Sequence, residues 1–191
     1  MTTQTVAATY AHKLGNNRLG LWLFILSDSF VFAGLLVTRF YNMGSQRPEL
    51  DQTLGLIVTS VLLVSSFFMN RAETAIAHGD RKTFLNSTLI TMLLGVAFII
   101  GVLGFEWRLA PFKPWDGPAG PVFFMMTGTH AFHVLTGVLF LLVVYRNGLR
   151  GHYSAERHWA VEACANYWHF VDVVWIFFYP ALYLIGTVAG G

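Results

Sequence analysis

The stretch that decides the fold runs from Asn166 to Tyr183 and reads NYWHFVDVVWIFFYPALY. It places His169 and Asp172 three residues apart in a run that is otherwise aromatic and branched apolar. In a helix, these two side chains lie on one face. Titratable groups in so apolar a segment are destabilising unless each has a partner or a function. The stretch therefore predicts a membrane helix whose polar face has either a partner or a function.

The composition of the whole chain favours an integral membrane protein. Of its 191 residues, 55% are hydrophobic and 12% are charged, which is roughly half the charged share of a soluble domain. The net charge of +2 comes with no basic stripe, and this argues against nucleic acid as a partner. The single cysteine, Cys164, excludes an intrachain disulfide and a cluster held by several thiolates.

Five runs are long and apolar enough to cross the hydrocarbon core as helices, which takes about 20 residues. They lack the alternating period of barrel strands. The predicted helices cover residues 19–40, 54–76, 84–105, 121–145 and 161–188. Because no internal repeat is visible, we predict one all-α membrane domain, residues 1–191, folded as a five-helix bundle.

Lysine and arginine are divided unevenly between the two ends of the predicted bundle. Eight lie on the side of the N-terminus and four on the other side. Because these residues collect on the cytoplasmic side of membranes, we predict the N-terminus inside and the C-terminus outside. The tryptophans fall mostly near predicted helix ends, which predicts an interfacial belt. Glu106 is expected as an interfacial cap at one such end.

Polar side chains within the predicted spans are the candidate functional residues. They are Asp28, His130, His133, Glu162, His169 and Asp172. Asp28 lies ten residues after Arg18, about 15 Å along a helix and therefore near the middle of the membrane. An isolated carboxylate there takes up a proton or finds a cation. A neutral acid hydrogen-bonded between helices and a proton-relay group both fit.

The histidines leave a second chemistry open. The sequence THAFH places His130 and His133 on successive turns of the fourth helix, where two imidazoles can bind one metal ion. A complete site would need further ligands from other helices. Because neither HExxH nor ExxH occurs, hydrogen-bonded or proton-handling histidines are favoured over metal or haem ligands.

The fifth helix has a polar stripe made of Glu162, Asn166, His169 and Asp172. Glu162 and His169 are seven residues apart, two helical turns on nearly the same face. The stripe indicates a hydrogen-bonded seam between helices or, alternatively, a water-lined path.

Three motifs give the chain a resemblance to a known family. The segments YWHFVDVVWIFFYPALYLIG, GTHAFHVLTG and AHGDRKTFL resemble subunit III of the haem-copper terminal oxidases. That family includes cytochrome c oxidases and bacterial quinol oxidases, and the resemblance covers residues 19–186. The chain is similar to the short five-helix form of bacteria. The resemblance therefore implies a multi-pass protein of the bacterial inner membrane.

The resemblance also implies what the chain does. It implies a subunit with no catalytic residue, metal, haem or other redox centre, packed with subunits I and II of a proton-pumping oxidase that reduces oxygen. Haem and copper belong to those partner subunits. Such a subunit supports proton uptake, binds phospholipid and stabilises the catalytic subunit. Asp28 matches the carboxylate of the family's first helix, with His133 or His130 as its implied partner. Arg146 matches a position associated with lipid phosphate.

Other classes remain open beside this one. A quinol oxidase subunit III and an accessory subunit of a nitric oxide reductase would also lack cofactors. A small dihaem membrane cytochrome would use His130 or His133 with His169. A proton-coupled transporter would be built around Asp28 and His169, although the lack of an inverted repeat counts against it.

Overall fold

Five long helices make up the described part of the chain. The computed structural model describes residues 3–188, with side chains from residue 14 onward. The prediction of an all-α, five-helix protein is confirmed. The helices are α1 (Thr3–Met43), α2 (Gln52–Ala77), α3 (Arg81–Ile99), α4 (Ala119–Leu149) and α5 (Trp159–Tyr179).

Two of these helices continue as π-helical segments. α3 runs through Ile100–Glu106 into a last α-helical turn, Trp107–Leu109, and α5 runs into Pro180–Leu184. Short connections return the chain between two ends of the bundle. We call the end that contains Ala77, Arg81 and Leu149 the near end, and the opposite end the far end.

Four of the helices are long and apolar enough to cross a membrane by length and composition. They are Leu14–Met43, Gln52–Ala77, Arg81–Leu109 and Ala119–Leu149. α5 is 21 residues long and packs against α2 and α4. Only 11% of the most apolar window of α1 is buried within the chain, against 44% for α4. α1 is therefore the least enclosed of the four.

Acidic caps begin the two helices that form the closest pair. Asp51 accepts hydrogen bonds from the amides of Thr53 and Leu54 at the start of α2. Asp80 accepts one from the amide of Thr83 at the start of α3. Each cap satisfies amides that lack a partner in the first helical turn.

The prediction of a helix that reaches residue 188 is wrong at its C-terminal end. The helical backbone ends at Leu184. Pro180 has no N–H to donate, so regular α-helical pairing cannot continue through it. Gly186 then adopts φ +108°, a conformation that side chains rarely allow. The chain leaves the helix and forms a short parallel pair, β1 (Gln46–Arg47) with β2 (Thr187–Val188).

Arg39 holds this far end together from inside. Its side chain is 0% exposed. The guanidinium donates hydrogen bonds to four backbone carbonyl oxygens: Ala181 at 2.7 Å, Gly44 at 2.8 Å, Gln46 at 2.9 Å and Ile185 at 2.9 Å. Carbonyl groups at the ends of helices carry partial negative charge, which favours a cation there. Arg39 thus joins the end of α1 to the end of the chain.

Two of the three tryptophans of α5 do not follow the predicted interfacial belt. Trp168 and Trp175 are among the largest fully buried side chains. Their indole N–H groups donate to hydroxyl oxygens of α2, Trp168 to Ser65 at 3.0 Å and Trp175 to Thr59 at 2.9 Å. Gly95 makes room, because a Cβ there would lie 2.5 Å from the ring of Trp168. The hydroxyl groups of α2 and the absence of a side chain at Gly95 allow these two rings to be buried between the helices.

Candidate functional site

α1 and α4 meet in mid-helix through one charged pair. Nε2 of His133 lies 3.2 Å from Oδ2 of Asp28. Both side chains are largely enclosed, with 14% of His133 and 15% of Asp28 exposed. Oδ2 of Asp28 has no aligned hydrogen bond from any described residue. The pair is therefore a close contact between a carboxyl group and an imidazole of two helices.

The second nitrogen of His133 fixes how the pair can be protonated. Nδ1 lies 2.7 Å from the carbonyl oxygen of Thr129. A carbonyl only accepts, so Nδ1 carries a hydrogen. The other nitrogen, Nε2, then faces the carboxyl group of Asp28. Any proton exchanged between the two side chains would therefore pass between Nε2 and Oδ2.

Aromatic side chains surround the pair. The Tyr167 hydroxyl on α5 donates to the backbone carbonyl of His133 at 3.2 Å. The ring of Phe32, one turn after Asp28, lies edge-on to the imidazole at a centroid distance of 4.7 Å. A surrounding of low dielectric constant strengthens the interaction of the carboxylate with an imidazolium. The pair consequently lies in a largely apolar surrounding rather than in open solvent.

His130 lies one turn before His133 but in a different environment. It is fully buried, and neither ring nitrogen has a hydrogen-bond partner among the described residues. Its ring packs on Trp175 at 4.7 Å and on Phe98 at 5.4 Å between centroids. Of the two histidines that the resemblance offered as partner for Asp28, the structure places only His133 against it.

His169 and Asp172 face α2 instead of α1. Nδ1 of His169 lies 2.8 Å from the hydroxyl oxygen of Ser66 and 3.9 Å from Oδ2 of Asp172. Asp172 is 3% exposed, and neither of its oxygens has an aligned hydrogen bond from the described residues. These three polar groups make a second cluster, separate from the Asp28 pair.

Comparison with known proteins gives the family. The family model for cytochrome c oxidase subunit III matches residues 3–187. The chain belongs to the cytochrome c oxidase subunit III family. Two similar proteins are the cytochrome c oxidase subunit 3 of Halichoerus grypus and that of Bos taurus. Each is 37% identical to it over 183 residues, covering 89% of this chain and 70% of the relative.

Family membership confirms the resemblance that the motifs suggested. The chain has the role of subunit III, one component of an oxygen-reducing respiratory complex in a membrane. Within residues 14–188, no group of three or more His, Cys, Asp and Glu side chains is placed to hold a metal ion. Among the described residues, Asp28 with His133 and Arg18 with Glu162 are pairs between helices, whereas His169 and Asp172 lie on one helix.

Glu162 does not share a seam with His169 in this subunit III chain. Its carboxylate accepts two hydrogen bonds from Arg18 of α1, from Nε and Nη2, each 3.1 Å long. The pair joins α1 to the start of α5 at the near end. The predicted polar stripe is therefore divided, because Glu162 turns towards α1 while Asp172 turns towards α2.

Arg146 and Glu106 lie in contrasting places in the subunit. Arg146 is exposed in the last turns of α4. Glu106 was expected as an interfacial end cap, but it is 5% exposed and makes no capping hydrogen bond. The π-helical segment that ends at Glu106 turns the carboxylate inward. The end-cap prediction is wrong for this reason.

Three residues of the subunit's polar network escaped sequence reasoning. Tyr167, Ser66 and Arg39 were not candidates. Tyr167 had a usable signal, since it lies two positions from His169 and therefore on the opposite face of α5. That face had to meet another helix, and it meets α4 beside Asp28. Ser66 and Arg39 look like ordinary positions of an apolar run and a helix end.

Proposed function

We propose that the Asp28–His133 pair holds a proton that sustains proton uptake by the catalytic subunit of the oxidase. The single supporting observation is the geometry of the imidazole, whose Nδ1 donates to Thr129 while Nε2 faces the carboxylate at 3.2 Å. In this arrangement Nε2 and Oδ2 are the two atoms between which a proton would be held. A neighbouring subunit that stabilises the protonated or the deprotonated pair would make it bind or release that proton.

We further propose that the chain itself carries no redox centre and that haem and copper lie in partner subunits. The histidines support this. His133 has both ring nitrogens engaged, by Thr129 and Asp28. His130 is enclosed by Trp175 and Phe98 with no open side towards a ligand. A dihaem cytochrome would need an imidazole nitrogen free to bind iron on each of two helices.

The proposed partners are subunits I and II in the bacterial inner membrane, with the N-terminus of this chain inside. The weak enclosure of α1 supports an assembly of this kind. Helices whose apolar faces are left open in a single chain are covered by lipid or by other membrane subunits. Similarity to cytochrome c oxidases favours cytochrome c over a quinol as the electron donor of the complex.

A bound phospholipid is proposed near Arg146. A groove of about 680 Å³ opens between α1, α4 and α5, lined by apolar side chains such as Phe24, Phe140 and Val143. Val143 lies one turn before Arg146 on α4. An acyl chain fits the groove, and an exposed guanidinium at its end suits a phosphate group.

The proton proposal is tested with Asp28→Asn in the assembled oxidase. We expect an unchanged haem spectrum and an unchanged initial rate, followed by inactivation after fewer turnovers than in the parent enzyme. Asp28→Glu should restore the number of turnovers before inactivation, because it keeps a carboxylate. Ser29→Ala is the matched control, since Ser29 bonds only to the carbonyl of Ile25 on its own helix. The proposal would be ruled out if Asp28→Asn and the parent enzyme completed the same number of turnovers before inactivation.

The lipid proposal is tested by native mass spectrometry of the purified complex. Arg146→Gln should lower the number of retained phospholipids by about one. Arg150→Gln, which removes a second exposed arginine one turn further on, is the control and should leave that number unchanged.

A further inference from the structure

The two π-helical segments of the chain converge on one small cavity at the far end. Glu106 ends the first of them, Ile100–Glu106, and Tyr183 lies within the second, Pro180–Leu184. Both residues line the same cavity, with Leu54, Leu109 and other apolar side chains around them. π-helical turns are rare and occur frequently at functional sites. Because two π-helical segments contribute to this cavity, the cavity is a candidate functional site.

The polar atoms in this cavity lack partners in the described part of the chain. Glu106 is 5% exposed, and neither of its carboxyl oxygens accepts an aligned hydrogen bond. Tyr183 is 1% exposed, and its hydroxyl faces the Glu106 carboxyl group without an aligned hydrogen bond between the two. Buried polar groups in native proteins are bonded to protein or to ordered water. Both side chains point into one space, so a single guest can satisfy both.

The hydroxyl of Tyr183 is held in place by close packing. A Cβ at Gly55 of α2 would lie 2.6 Å from its ring, so only glycine admits the ring there. On the other side it stacks on Tyr179 at 5.2 Å between centroids. The side-chain Nε2 of Gln52 donates to the backbone carbonyl of Tyr183 at 3.3 Å. The ring therefore cannot turn its hydroxyl away from Glu106.

The size and chemistry of the cavity identify its guest. It offers about 20 Å³ to the centre of a water-sized sphere, and one buried water requires roughly 10–15 Å³ by this measure. Asp51, exposed beside the cavity, supplies a third polar group. A buried water makes about three hydrogen bonds. Calcium would need six to eight oxygen ligands, more than these three side chains supply.

We propose that this cavity is a binding site for one water molecule, which bridges the carboxyl group of Glu106 and the hydroxyl of Tyr183. Asp51 lies at the mouth, so the water exchanges with solvent at the far end. None of the described residues that line the cavity carries a positive charge. Glu106 therefore has no counter-ion, and its carboxyl group carries a proton that exchanges through the bound water. This site is independent of the Asp28–His133 pair.

Infrared spectroscopy of the assembled complex in lipid nanodiscs tests the proposal. The difference between the parent complex and Glu106→Gln isolates the carboxyl vibration of Glu106. We expect the band of a protonated carboxyl, and we expect deuterium oxide to shift it without unfolding. Tyr183→Phe should shift the same band, because the water loses one partner. Tyr179→Phe, which removes a hydroxyl from the stacked neighbour outside the cavity lining, should leave it in place.

A second variant keeps the test decisive if Tyr183→Phe folds poorly. Ala110→Val adds methyl groups to the cavity wall and should displace the water, shifting the Glu106 band in the absence of any change to a polar residue. The proposal fails if Glu106 shows only an ionised carboxylate band, or if Ala110→Val leaves the band unmoved. A shift caused by added sodium or calcium ions, or by a chelator, would likewise overturn it in favour of a cation.

Discussion

Replacing Arg39 tests how the far end is held. Arg39→Leu keeps an apolar stem of similar length but removes all four hydrogen bonds to carbonyl oxygens. The bonds to Gly44 and Gln46 lie within the turn that follows α1, where water can replace the guanidinium. The bonds to Ala181 and Ile185 reach more than 140 positions along the chain and join separate segments. These two have no ready substitute.

The magnitude follows from those two bonds. A hydrogen bond that involves a charged group contributes about 1.5–3 kcal/mol. The expected loss in the free energy of unfolding is therefore roughly 3–6 kcal/mol. For a chain of this size each kcal/mol lowers the melting temperature by about 2–4 °C, so the expected decrease is on the order of 10 °C. The melting temperature of Arg39→Lys should lie between those of the parent and of Arg39→Leu, because one ammonium has three donors for four carbonyls.

Cys164 provides the assay. It is the only cysteine of the chain and is buried, so alkylation of its thiol, read by mass spectrometry across a temperature series, reports opening of this subunit inside the complex. Arg108→Leu removes an exposed arginine at the same end and is the control. If Arg39→Leu and Arg108→Leu open at the same temperature, the four carbonyl contacts do not stabilise the subunit and the reasoning is wrong.

Three further predictions concern other parts of the bundle. Gly95→Ala should destabilise the chain by about 1–3 kcal/mol through overpacking against Trp168. Gly104→Ala should not, because the nearest atom to its new Cβ lies at 3.6 Å. The temperature at which Cys164 becomes open to alkylation measures both. Arg18→Gln should change that temperature little, because exposed ion pairs contribute less than about 1 kcal/mol. The Thr83 hydrogen bonds lower the pKa of Asp80, so the cap stabilises the start of α3 above the ordinary aspartate pKa and is lost as pH falls through the lowered value. The protection factor of the residue 83 amide, which corrects for the pH dependence of intrinsic exchange, should fall over that range and stay independent of pH in Asp80→Asn.

The helices could be predicted because lipid demands long apolar segments. Their ends could not be predicted as well, since they depend on contacts made far along the chain. The end of α5 is the clearest case. Nothing in PALYLIG shows that its carbonyl groups will accept from Arg39 or that residue 187 will pair with residue 46. A hydropathy pattern therefore extends the helix too far.

The candidate site could likewise be predicted only in part from the sequence. Asp28 and His133 were recognisable because a charged group in an apolar span needs a partner. Which histidine would serve depended on the rotation of α4, and the structure turns His133 towards α1 and His130 towards Trp175. Glu106 was misread because a π-helical turn rotates every residue after it. That extra residue per turn has no signature in composition.

The polar contacts of α1 have a mechanical consequence. Along one helix, Arg18, Asp28 and Arg39 fasten it at the near end, the middle and the far end, about 15 Å apart. Apolar attraction between helices is weak in lipid, so the enclosed contacts of Asp28 and Arg39, more than the exposed ion pair of Arg18, determine how firmly α1 is docked. Loss of the central contact would therefore leave α1 joined to the bundle mainly at its far end and would loosen the wall that α1 gives to the groove between α1, α4 and α5.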